Sequence, residues 1–94
     1  MPRKRADVDA ALQRKGFRAK EGDHHYFIYF TTSGKKTRVF TKTSHSHREI
    51  SDNLLSQMAQ QCRLVRSNFD RLLDCPLTRE EYETILMKQE VITV

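Results

Sequence analysis

The stretch Gly22-Asp23-His24-His25-Tyr26-Phe27-Ile28-Tyr29-Phe30 constrains the fold more than any other part of the chain. A run of aromatic and β-branched residues with no helical period predicts a β-strand. Successive side chains of a strand point to opposite faces, so His24, Tyr26, Ile28 and Phe30 share one face. His25, Phe27, Tyr29 and Thr31 share the other. Both faces are largely apolar, which reads as a central strand with at least partial cover on each side, its rings core rather than stacking platform. The two histidines sit at the open end of this rigid element and are candidates for proton chemistry; the plainer reading is that one of them caps the strand.

The flanking sequence supplies the partners such a strand needs. Asp7 is placed to cap a first helix whose buried stripe is Val8, Ala11 and Leu12, and Gly16 is placed to end it. Phe17 to Lys20 predicts a first strand, Glu21-Gly22-Asp23 a hairpin turn, Thr32 to Lys35 a second turn and Thr37 to Thr41 a third strand. Thr43 to Glu49 is polar and without period, a loop. Ser51 or Asp52 caps the next helix, with Leu54, Leu55, Met58 and Cys62 on one face. The expected unit is α+β, a three-stranded antiparallel sheet with two helices on one face. Beyond residue 65 the pattern is helical. Phe69, Leu72 and Leu73 mark a short helix that stops before Pro76. Thr78-Arg79-Glu80-Glu81 is a capping box, with Leu77 and Tyr82 as its hydrophobic staple, and opens a last helix ending near Gln89. Val91 to Val94 is β-prone, fit for a sheet edge or a second copy.

With 94 residues and no linker or repeat, the chain reads as one domain, 7–65 its core and 66–94 a helical extension. That extension is read as extra core, a dimer contact or a partner-binding surface; extra core is favoured because a small domain gains from more buried surface. Lys and Arg exceed Asp and Glu by 17 to 12, a net charge of +5 that favours a polyanionic partner, nucleic acid first. Pro2 to Arg5 reads as a mobile basic arm available to phosphates. Cys62 and Cys75 have no zinc or redox spacing and read as free thiols in a reducing compartment. Neither a signal peptide nor a membrane span is expected, and the location read from this is cytoplasmic.

Four histidines fall in two pairs, His24/His25 and His45/His47. Three hypotheses compete for them. Metal-free RNA cleavage needs a base for the 2′-hydroxyl, an acid for the leaving oxygen and cations around the phosphorane. Histidines suit both proton roles, and Lys35, Lys36, Arg38, Lys42 and Arg48 are the candidate phosphate contacts. A metal site lacks acidic or thiol ligands at a recognisable interval, so neither metal nor cofactor is expected. The third reading is RNA binding without turnover, by stacking and phosphate contacts. A protein-interaction adaptor using the C-terminal helices is a further class, and it requires an exposed apolar patch on residues 69–94.

A helix, Gly16-Phe17, a short strand and then Gly22-Asp23-His24-His25 leading an apolar strand resembles the HicA family of toxins, whose second strand opens with Gly-Ser-His. Thr43-Ser44-His45-Ser46-His47-Arg48-Glu49-Ile50 is similar to the family's loop after the third strand, keeping the His and the basic–acidic–aliphatic ending. Asp23 stands where the family has serine, and Thr43-Ser44 where it has Pro-Arg. The resemblance covers about residues 7–65. It implies a double-stranded-RNA-binding-domain-like α-β-β-β-α fold, a metal-independent mRNA interferase activity and a HicB-like antitoxin partner. It places the catalytic histidine on His24, with His25 the alternative if the register slips by one, and the loop histidine on His45.

Overall fold

The structure, a computed structural model, describes residues 2–43 and 48–92. Among these the chain is α+β. β1 (Arg3–Lys4) leads into α1 (Arg5–Arg14), followed by β2 (Phe17–Glu21), β3 (His25–Phe30) and β4 (Lys36–Thr43). Then come β5 (Glu49–Ile50), α2 (Asp52–Gln61), α3 (Arg66–Leu73) and α4 (Arg79–Lys88). β2, β3 and β4 form an antiparallel sheet with β3 central, and β1 pairs with β5 in a separate two-stranded ribbon. No helix among the described residues is long and apolar enough to cross a membrane.

Alternation along β3 decides which way the sheet faces. Phe27, Tyr29 and Thr31 are buried, together with Phe17 of β2 and Val39, Thr41 and Thr43 of β4. Val8, Ala11 and Leu12 of α1 and Leu55, Met58 and Ala59 of α2 join the same core. So do Phe69, Leu72 and Leu73 of α3 and Tyr82 and Leu86 of α4. Residues 66–92 therefore share one core with the sheet. Phe17, Tyr29 and Tyr82 form an aromatic trio, centroids 5.2–5.8 Å apart. Each such pair adds roughly 0.5–1.5 kcal/mol beyond its buried area. The Tyr82 hydroxyl donates to the Cys62 carbonyl at 2.7 Å, tying α4 to the end of α2. Gly16 has a φ of 99°, and a Cβ there would run into the Arg79 guanidinium and the Tyr29 ring.

α4 is also bolted to the sheet by polar groups. The buried Glu83 carboxylate accepts from the Tyr29 hydroxyl at 2.6 Å and from the Thr32 amide and hydroxyl at 2.8 and 3.0 Å. Burial works against its charge, but these three donors outweigh it and hold the carboxyl below its ordinary range. Arg79 donates to the carbonyls of Phe30 and Thr31. The Thr78–Glu81 capping box closes reciprocally, as its sequence predicts.

Several expectations need correction. Asp7 does not cap α1: the helix begins two residues earlier, with extended Lys4 as N-cap and no side-chain cap bond, because the chain arrives from the β1–β5 ribbon. Asp7 sits instead in the first turn, where its charge suits the helix dipole. The N-terminal arm is docked rather than mobile: Arg3 forks onto Asp74 at 2.8 and 2.9 Å and reaches Asp70 at 3.4 Å. Arg5 donates its amide to Arg48. The central strand is fully covered on one face; on the other, which no helix covers, Tyr26, Ile28 and Phe30 are half-buried. Ser51 is the residue that caps α2.

Two substitutions test this core. Tyr82→Ala removes a fully buried ring and should cost about 3–5 kcal/mol in urea unfolding. Glu83 has its pKa depressed on folding, so its stabilisation is present above the unfolded-state value and lost as pH falls through the folded one. Glu83→Gln should therefore cost about 1–3 kcal/mol at neutral pH, with wild type and variant converging in acid.

Candidate nucleic-acid interface

The helices all lie on the Phe27/Tyr29 side, so the opposite face of the sheet is uncovered. Register assembles it row by row. Arg18 stands opposite Ile28, and Ile28 opposite Phe40; Lys20 stands opposite Tyr26, and Tyr26 opposite Lys42; Phe30 pairs with Lys36. Arg18 lies over the Phe30 ring, 4.0 Å from its centroid, a cation–π contact. Tyr26 and Phe40 lie 6.3 Å apart. Phe40 is 45% exposed, unusual for a phenylalanine with a core within reach. A hollow of about 610 Å³ runs over this face between Lys20, Tyr26, Ile28, Arg38 and Phe40.

An irregularity in β4 lies beside Arg38. Pairing passes from Ile28–Phe40 to Phe30–Lys36, so Thr37, Arg38 and Val39 stand opposite Tyr29 alone. The Thr37 hydroxyl fills the gap, donating to the Tyr29 carbonyl at 2.7 Å and accepting from the Val39 amide at 3.1 Å. Val39 is buried and Arg38 exposed, so the alternation of β4 runs through the irregularity unchanged.

The adjacent histidines part company. His24 stands at the head of the open face, its ring edge-on to Tyr26 with centroids 6.1 Å apart. Asp23 beside it accepts from the Tyr26 hydroxyl at 3.0 Å, and that hydrogen bond is the main reason its carboxyl lies below the usual range. His25 is on the covered face. Its Nε2 meets Asp9 of α1 at 3.3 Å, its Nδ1 meets Glu21 across the hairpin, and its ring packs edge-on against Phe27. Burial pushes the Asp9 carboxyl up, with His25 and Arg5 opposing, and Asp9 Oδ1 is buried without a hydrogen-bond donor. With both ring nitrogens occupied, His25 fastens α1 to the β2–β3 hairpin and presents neither nitrogen to a ligand.

Of the candidate phosphate contacts, Lys36, Arg38 and Lys42 share the open face. Lys35 lies in the turn beside it, its amide held by the Thr31 hydroxyl. Arg48 lies elsewhere, lining a hollow with Lys4, Arg5 and Glu49 near the β1–β5 ribbon. His45 falls outside the described residues, as does His47. Sequence reasoning placed Phe30 on the His24/Tyr26 side but missed Arg18, Lys20 and Phe40 as members of this surface. Their signal was the alternation Arg18-x-Lys20 and Lys36-x-Arg38-x-Phe40-x-Lys42, which puts cations and a ring on one side of both flanking strands. Among the described residues no group of three or more His, Cys, Asp or Glu side chains is placed to hold a metal ion. Beyond Arg66 the large exposed apolar side chain among them is Met87.

The two histidines should separate in stability measurements. His25→Ala strands the half-buried Asp9 carboxylate and should cost about 1–3 kcal/mol. His24→Ala should stay within about 0.5 kcal/mol of wild type, because nothing buried depends on it. Urea midpoints of the two variants check this.

No known protein family, curated protein or solved structure matches the chain, so the chemistry of this face is read from its own residues.

Proposed function

We propose that this chain binds RNA on the open face of its sheet and, like the HicA toxins it resembles, cleaves it without a metal, with His24 as a proton-transfer group. The observation that carries the binding is the meeting of rings and cations on one open face, the exposed Phe40 and the half-buried Tyr26 and Phe30 among Arg18, Lys20, Lys36, Arg38 and Lys42. Aromatic faces stack bases, and the cations between them neutralise the backbone. The order α1-β2-β3-β4-α2, with helices on one side, supports a double-stranded-RNA-binding-domain-like arrangement. A HicB-like antitoxin would act by covering the same face. The cytoplasm, where mRNA is met, is the location this activity requires.

A second reading is RNA binding without cleavage. One observation favours it: His25, the nearest candidate for a second proton-transfer group, is held by Asp9 and Glu21 on the wrong side of the sheet.

Incubation with a structured RNA in excess EDTA separates the two. Cleavage to 2′,3′-cyclic phosphate ends by wild type, abolished in His24→Ala, is the expected result. Intact RNA with equal, salt-sensitive binding by both proteins would leave only the binding reading. In either case Phe40→Ala should weaken binding by about 1–3 kcal/mol, the worth of one stacked base.

A further inference from the structure

Where the open face turns the edge of β4 it continues into a groove of about 380 Å³, between that strand and α2. This lies within the range of roughly 300–1,000 Å³ typical of small-ligand sites. Arg38 and Phe40 belong to both the face and the groove; Gln57, Gln60, Gln61 and Arg63 make its far wall. The three glutamines sit at i, i+3 and i+4, one stripe of α2 beside its buried face.

The hydrogen bonds of Gln61 fix what this wall offers. Its Oε1 accepts from the Thr41 hydroxyl at 2.6 Å and from the Lys42 amide at 3.4 Å. An amide has one oxygen and one NH2, so with the oxygen engaged in the fold the NH2 is what Gln61 has left to offer the groove it lines. Arg38 and Arg63 can only donate, whereas Gln57 and Gln60 each carry a donor and an acceptor. The groove is thus weighted toward donors, with an exposed ring at its mouth.

We propose that this groove reads one base of a single strand lying on the sheet, preferring keto bases, uracil and guanine, over amino bases, cytosine and adenine. The inference rests on the RNA-binding reading above. Uracil and guanine carry a carbonyl oxygen where cytosine and adenine carry an NH2, and a donor-lined wall pairs with the first and is left unpaired by the second. Unstacked bases read on their edges beside an aromatic ring are the usual mode of single-strand recognition. Phe40 supplies the ring, and the glutamine stripe with its arginines supplies the edge contacts.

The test is fluorescence anisotropy with short 2′-O-methyl oligonucleotides, which resist cleavage by 2′-hydroxyl attack. Oligo-uridine is compared with oligo-cytidine, and oligo-inosine with oligo-adenosine, so that each pair differs at the keto or amino position. Wild type should favour the keto member of both pairs by roughly five- to tenfold, the low end for a good base contact. Arg63→Ala, at an exposed position, should narrow the ratio. Gln61→Glu keeps an oxygen for Thr41 and Lys42 but replaces the NH2 with an acceptor, and should swing the ratio toward cytidine and adenosine. Equal binding of all four by wild type, or a preference that neither variant moves, would overturn the groove while leaving RNA binding intact. Failure of every oligonucleotide to bind would remove the RNA reading and this inference with it.

Discussion

The hydrogen bonds into the Glu83 carboxylate govern how this molecule is laid out. A buried negative charge needs donors, and Glu83 finds them in Tyr29 at the end of β3 and in Thr32 in the turn that follows. That commits α4 to the Phe27/Tyr29 side of the sheet. Arg79, one turn earlier, reinforces the choice through the carbonyls of Phe30 and Thr31. With α1 and α2 on the same side, the C-terminal helices complete a layer that already exists. Had α4 crossed to the other side, it would have buried Tyr26 and Phe40 and left no open face.

Local patterns carried much of this in the sequence. The capping box at Thr78, the apolar stripe of α2 and the turns either side of β3 depend on neighbours within a few residues, and all are present. What was not legible depends on partners far along the chain. Two-residue strands such as β1 and β5 have no periodicity to detect, yet their pairing sets where α1 starts. Arg3 finds Asp70 and Asp74 across some seventy positions, and nothing near Arg3 foretells it. The candidate site was half legible for the same reason. Alternation separated His24 from His25, but which side stays open is decided by helices 50 residues away.

The open face carries its rings and cations on strands. Side chains that alternate on a hydrogen-bonded sheet are held by the pairing itself, so rings and cations keep their spacing without a ligand present. Arg18 shows how such a surface stays usable: stacked on Phe30, its guanidinium covers an apolar ring yet keeps its charge toward solvent. Asp23, drawn aside by Tyr26, is the acidic counterweight at the His24 end. The face is thus polarised along the strands, cationic over most of its length and mixed where the hairpin turns.

The irregularity at Thr37 matters at the sheet's edge. β4 is an edge strand, and a straight edge with free peptide groups is a template for the same strand of another copy. Here the extra residues break the ladder's rhythm, lysines and an arginine line the edge, and Gln61 reaches the Lys42 amide. Each of these hinders edge-to-edge growth. A straight β4 would leave this small domain open to edge-to-edge pairing, and the irregularity beside Arg38 guards the sheet against it.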